Sequence, residues 1–375
     1  MPVTDHVDYP INTGTTTITK PIVDSPQGNG QPIQDLVVRG DGQTRSIVNV
    51  KIGSSSSKPY ANAAHVLANR FRPGEFSKYR LNSDDVKQIA FWMFCQTAAD
   101  PAYLPEFGGG YQSSGWWHDL HLGGTQWKAG WQWDGGVHAN LNSENILERI
   151  QTSNGASFAD GVFVIGTPEG NLQQDQFLNF AFRAIKAEHK AGHILVVNHG
   201  GAIIWDGGGA SCIIGVGDNK DLGRGGTAFV LGNEASSDAH RSVYDNVRSF
   251  RATGVRFEAR VKRAMLFSTT WRGNNSVIVL DSCSVATDTS YGYVKGATHD
   301  YKLGRIVCPD GKMPNIVIRD SIRLPGYIEY VGPIAVSGGV TVENCNLVDG
   351  TRDLGRATSF VRAAPGSGIP RVTYR

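Results

Sequence analysis

Two stretches of the chain hold residue types that could do chemistry. In NEASSDAHR, Glu234 and Asp238 lie beside His240 and Arg241, just after the apolar Phe229-Val230-Leu231. Cleaving a glycosidic bond takes one carboxyl group that protonates the leaving oxygen and a second that serves as base or nucleophile. Glu234, Asp238 and His240 are therefore the candidate catalytic residues. Other acids (Asp206, Asp218, Asp221, Asp245, Glu258 and Asp288) leave the choice of pair open. Elimination from a uronate would instead need cationic groups, and GVRFEARVKR supplies Arg256, Arg260, Lys262 and Arg263. Alternation along Val255 to Val261 explains those charges equally as the solvent face of a strand.

The second stretch is GGGYQSSGWWHDLHLGGTQWKAGWQWDGGVHAN, where five of the eight tryptophans fall within 18 residues. Indole rings stack on sugars while neighbouring polar groups bond the hydroxyls, which makes Trp116, Trp117 and Trp127, with Arg241, the candidate ligand-binding residues. The same rings could equally anchor glycine-rich loops by burial. Trp131-Gln132-Trp133 has strand alternation, which favours burial of both rings on one face. His118, Asp119, His121, Asp134 and His138 include metal-ligand types without a recognised spacing, so no metal is expected. Gly207-Gly208-Gly209 and Gly223 to Gly226 lack the Lys-Ser/Thr of a phosphate loop, and no cofactor is expected.

The positioning elements come next. Asp175 to Ala191 has apolar residues (Phe177, Leu178, Ala181, Ala184, Ile185) at helical spacing, stopped by Gly192. HILVV (193–197) and the segment Gly201 to Trp205 read as strands. Val277 to Ser282, Ile316 to Ser321 and Val340 to Cys345 share one pattern: apolar, any, apolar, any, Asp/Asn or its equivalent, small. Aligned without adjustment, they place Asp281 with Asp320 and Asn344. Earlier in the chain, Ser83 to Pro101 and Ser143 to Ile150 have helical spacing, and Leu36-Val37-Val38 with Ile47 to Ile52 flank Gly40-Asp41-Gly42 as a hairpin.

A helix, an apolar strand, glycine-rich turns and repeated V-x-V-x-N-C units resemble right-handed parallel β-helix proteins of the pectate-lyase type, with phage tailspikes nearest. The expected fold is mainly β. It comprises an extended arm and hairpin at residues 1–60, a small mixed α/β region at 61–165 with Trp-rich loops, and a single-stranded β-helix solenoid at 166–375. The resemblance implies a virion protein that binds, and in some members cleaves, a bacterial surface polysaccharide as hydrolase or lyase. It also implies a homotrimer joined to other virion proteins through residues 1–60. A non-catalytic structural or decoration protein of the virion is the alternative.

Composition narrows the partners. The net charge of +2 comes without a Lys/Arg cluster, so nucleic acid is not expected as a partner. The 46 glycines suit a turn-rich β protein. The five cysteines are scattered, without a C-x-x-C pair, and Cys345 reads as a small buried hydrophobe. No apolar run approaches a membrane span, and MPVTDHVDYPINTG lacks the pattern of a signal peptide, so synthesis in the host cytoplasm is expected.

Overall fold

In the computed structural model, the described residues are 7–18, 33–34, 36–42, 45–50, 64–67, 89–95, 112–113, 115–123, 126–135, 142–153, 156–166, 177–189, 192–198, 200–207, 211–214, 226–232, 247, 249–259, 265–270, 276–285, 302–321, 324–325, 327–349, 352–356 and 360–375. They are mainly β, and their strands pair in parallel in stacked sheets. The chain visits the sheets in a repeating order. Phe177–Arg183 lies in a 15-stranded sheet, Ala187–His189 in a four-stranded sheet and Leu195–Val197 in a ten-stranded sheet. Gly201–Asp206, Ser211–Ile214 and Thr227–Leu231 repeat the circuit, as do Ser249–Thr253, Arg256–Ala259 and Met265–Thr270. Each strand pairs with its counterpart one circuit later, which is the pattern of a solenoid. Among the described residues the one antiparallel pair joins Asn346–Asp349 to Arg352–Arg356.

Every strand turns alternate residues inward, where they stack in columns. From the 15-stranded sheet come Trp117, Leu147, Phe182, Trp205, Ala252, Leu280, Ile318 and Val342, all buried and in register. From the ten-stranded sheet come Phe91, Trp131, Phe163, Leu195, Phe229 and Phe267. Trp131 stacks on Phe91 at 5.0 Å and lies 5.2 Å from Phe163, while Phe182 stacks on Trp205 at 5.0 Å. Rings one strand apart meet because the strand spacing of about 4.8 Å suits offset aromatic contact. Gly304 continues the Phe267 column, and a Cβ there would meet that ring at 2.5 Å.

One corner position along the 15-stranded sheet recurs with left-handed backbone in most coils, Gly207 being an exception. Asp119, Arg149, Ala184, Ser282, Asp320 and Asn344 all have φ between 48° and 59°. Left-handed backbone is costly for residues with a Cβ and least so for Asn, Asp and Gly, which accounts for the polar residue that ends the repeated unit. This column corrects the sequence alignment by one position. Ile278 pairs with Ile316 and Asp281 with Arg319, so Ser282, not Asp281, is the equivalent of Asp320 and Asn344. Cys283, Ser321 and Cys345 follow as small buried residues.

Among the described residues there is no helix, which overturns three expected elements. Phe177–Arg183 and Ala187–His189 are strands, because Phe180 and Phe182 point inward at a period of two while Asn179 is exposed. Asn142–Thr152 is a strand in which Asn145, Leu147 and, beyond the left-handed Arg149, Ile150 are buried. Ile89–Cys95 is likewise a strand, and residues 83–88 lie outside the described set. A mixed α/β region is not seen. Nor is the hairpin: Leu36–Arg39 pairs with Val7–Pro10 and Trp116–Leu122, and Ser46–Val50 with Gly14–Ile18, all in parallel. In the stretch expected as a coreless arm, Ile11 and Ile18 are buried. Among the described residues no helix is long and apolar enough to cross a membrane.

Candidate functional site: a groove on the outer face

The outward column of the 15-stranded sheet starts apolar. Val37, Trp116, Ile146, Ala181 and Ile204 are register partners on five successive strands. Trp116 is 39% and Ile204 51% exposed, high for large apolar side chains. They floor a groove of about 660 Å³, and Glu144, Asn179 and Ala202 line its upstream edge. These three also share left-handed backbone, with φ of 57°, 57° and 54°. Asn179 donates its side-chain amide to the Glu144 carboxylate.

Polar groups stand at the downstream edge. The His118 ring stacks on Trp116 at 4.2 Å with 29° between the planes. Its Nδ1 lies 2.7 Å from Asp119 Oδ2. Arg149 donates to both Asp119 oxygens, at 2.7 and 2.8 Å, and also binds Glu148. The paired guanidinium, opposed in part by desolvation, holds the Asp119 carboxyl below the usual carboxylate range. Asp119 accepts from Nδ1 and so fixes the orientation of the imidazole against Trp116. Glu148 is the register partner of His118. One edge thus combines an aromatic platform, an oriented imidazole and a carboxylate, a set able to stack on a sugar ring and accept hydrogen bonds from its hydroxyls.

The tryptophans weighed together in the sequence lie in three different places. Trp116 faces the groove. Trp117 is fully buried, with Phe91 5.0 Å from its ring, so both its faces belong to the core. Trp127 lies on the ten-stranded sheet, partly buried, and donates to the Gly123 carbonyl. Trp131 and Trp133 are both fully buried. Glu234, Asp238, His240 and Arg241 lie outside the described residues, as does His138. Among the described residues no group of three or more His, Cys, Asp or Glu side chains could hold a metal ion.

Sequence reasoning missed Glu144, Ile146, Glu148, Asn179 and Ile204 as site residues. The first four fall in the two segments whose spacing reads as helical, where their common outward face is invisible. In strands they lie on the face opposite Asn145, Leu147, Phe180 and Phe182, and that alternation is the signal that could have found them.

No protein-family model and no curated protein matches the sequence. A solved structure, described as the crystal structure of the Agl-KA catalytic domain, aligns with a TM-score of 0.44 at 10% identity, covering 98% of this chain. The chain spans 62% of the length of that domain. A likeness of this degree carries no argument about activity.

Proposed function

We propose that the chain is a right-handed parallel β-helix protein of the tailspike-like kind, which binds a bacterial surface polysaccharide through the groove on its 15-stranded sheet. The observation that carries the reading is the half-exposed Trp116, stacked on His118 and set in an apolar floor edged by Glu144 and Asn179, with Glu148 two residues beyond Ile146 on its strand. A solvent-facing indole over apolar side chains, with acceptors alongside, suits a pyranose ring, whose faces are apolar and whose rim is hydroxylated. The repeated circuit of parallel strands supports the β-helix part. The virion location, the homotrimer and attachment through residues 1–60 rest on the sequence resemblance.

Cleavage of the bound glycan is the second element of the proposal, with Glu234, Asp238 and His240 as its acid–base candidates. Incubating the purified chain with capsule and lipopolysaccharide preparations tests both elements. Retention on the polysaccharide supports binding, and new reducing ends or unsaturated uronates support cleavage. Retention without products leaves an adhesin. Neither retention nor products would sink the glycan reading in favour of a structural role. Glu234→Ala and Asp238→Ala should each abolish product formation while retention stays unchanged; full turnover in both would remove that segment from the mechanism.

A further inference from the structure

We infer that the groove selects neutral glycans over acidic ones and that Glu144, held by Asn179, is the specificity-determining residue; this rests on the glycan-binding reading. The five-residue apolar column crosses four inter-strand gaps, so its length is roughly 19 Å, enough for a short oligosaccharide lying across the strands. Along that length the groove is richer in acceptors and anions than in available cations. Asn179 spends a donor on Glu144, leaving its own carbonyl oxygen and the second Glu144 oxygen to accept from hydroxyls.

Among the described residues, three cations near the groove are engaged elsewhere. Arg149 is bound to Asp119 and Glu148, and Arg39 to Asp8 at 2.9 Å. Arg251 follows Ile204 in the outward column, and its guanidinium turns away to Asp281 and Thr253. Arg183, exposed, has Glu148 and Asp206 as its two register neighbours. Among the described residues lining the groove Glu144 is the charged one and no cation stands beside it, so a uronate carboxylate seated over Trp116 would face that carboxylate without a lining cation to offset the repulsion. Apolar walls strengthen that repulsion by lowering the local dielectric.

The test is retention of the full chain on an array of bacterial surface polysaccharides with neutral or uronate-bearing repeats. The wild-type chain should be retained by neutral repeats alone. Glu144→Gln should raise retention on uronate-bearing repeats relative to neutral ones by at least about tenfold, the signature of a removed repulsive element. Ala202→Lys, which adds a cation to the same edge, should produce the gain independently. Wild-type retention by uronate-bearing repeats, or an unaltered preference in both variants, would overturn the inference and leave glycan binding standing. No retention by any polysaccharide would overturn both.

Discussion

The two halves of the 15-stranded sheet share a backbone register and present opposite kinds of surface. Up to Ile204 the outward column is Val37, Trp116, Ile146, Ala181 and Ile204. Beyond it come Arg251, Val279, Val317, Thr341 and Thr373. In the second half the neighbouring outward positions neutralise one another: the buried Asp281 accepts from Arg319 at 2.6 and 2.9 Å, from Arg251 at 3.2 Å and from the Ser282 hydroxyl. The first half leaves an indole and an isoleucine to solvent. Inward positions of this sheet differ as well, with Trp117, Phe180, Phe182, Trp205 and Phe250 early and aliphatic Ile278, Leu280, Ile316, Ile318, Val340 and Val342 afterwards. The inward residues make the two halves one fold; the outward residues make one half a site and the other a self-satisfied wall.

The largest effect should come from the aromatic interior. Trp131→Ala, which removes a ring packed between Phe91 and Phe163, should cost about 3–5 kcal/mol, measured by urea unfolding. A smaller loss for Ile318→Val, about 1 kcal/mol, would show the aliphatic half to be the more forgiving. On the outer face, Trp116→Ala should weaken glycan retention by about 2 kcal/mol, or roughly 30-fold, with little change in unfolding midpoint. Thr373→Ala, the matched change in the other half, should leave retention unaltered. Equal losses from both would erase the contrast.

Charge pairing gives a smaller effect. Asp281→Asn should cost about 1 kcal/mol at neutral pH, discounted because both arginines are largely exposed. The Arg319 hydrogen bond holds the Asp281 carboxyl below its usual range, so its stabilisation is present above the unfolded value of 3.8 and is lost as pH falls through the lower folded value. His193 acts at milder acidity. Burial lowers its pKa from 6.5, and the Thr227 N–H donates to Nδ1 at 3.0 Å, a bond that only the unprotonated nitrogen can accept. The unfolded chain therefore takes up a proton first, and unfolding midpoints should begin to drop as pH falls below 6.5. A flat profile from pH 7 to 5 would contradict a buried neutral His193. Smallest of all, Ala184→Gly should raise stability by up to about 1 kcal/mol, since glycine adopts left-handed backbone without Cβ strain, offset by its own entropy.

Strand identity was legible where β-branched runs were bounded by turns, as in Leu195–Val197, Gly201–Asp206 and the three late repeats. It was illegible in Phe177–Arg183 and Asn142–Thr152, because apolar residues on both faces of a strand produce helical spacing by coincidence. Phe180 and Phe182 face the core, Ala181 the groove, and the sequence does not mark the difference. The one-residue slip at Asp281 has a similar cause: Asp281-Ser282 looks like Asp320-Ser321, and the loops between coils hide the count. What decides is the left-handed corner, and Ser, Asp and Asn all tolerate it well enough to occupy it. The site was the least legible part, since its members come from five strands far apart in sequence and meet only through lateral pairing.

That shared corner geometry makes each turn of the chain an exchangeable part. Residues 282–319 begin and finish at equivalent points of the circuit, so excising them would join Asp281 to Asp320 and lay Val340 beside Ile278 without disturbing which side chains face inward. A protein constructed in this way can lengthen or shorten by whole turns, and its outer face can be rewritten one rung at a time.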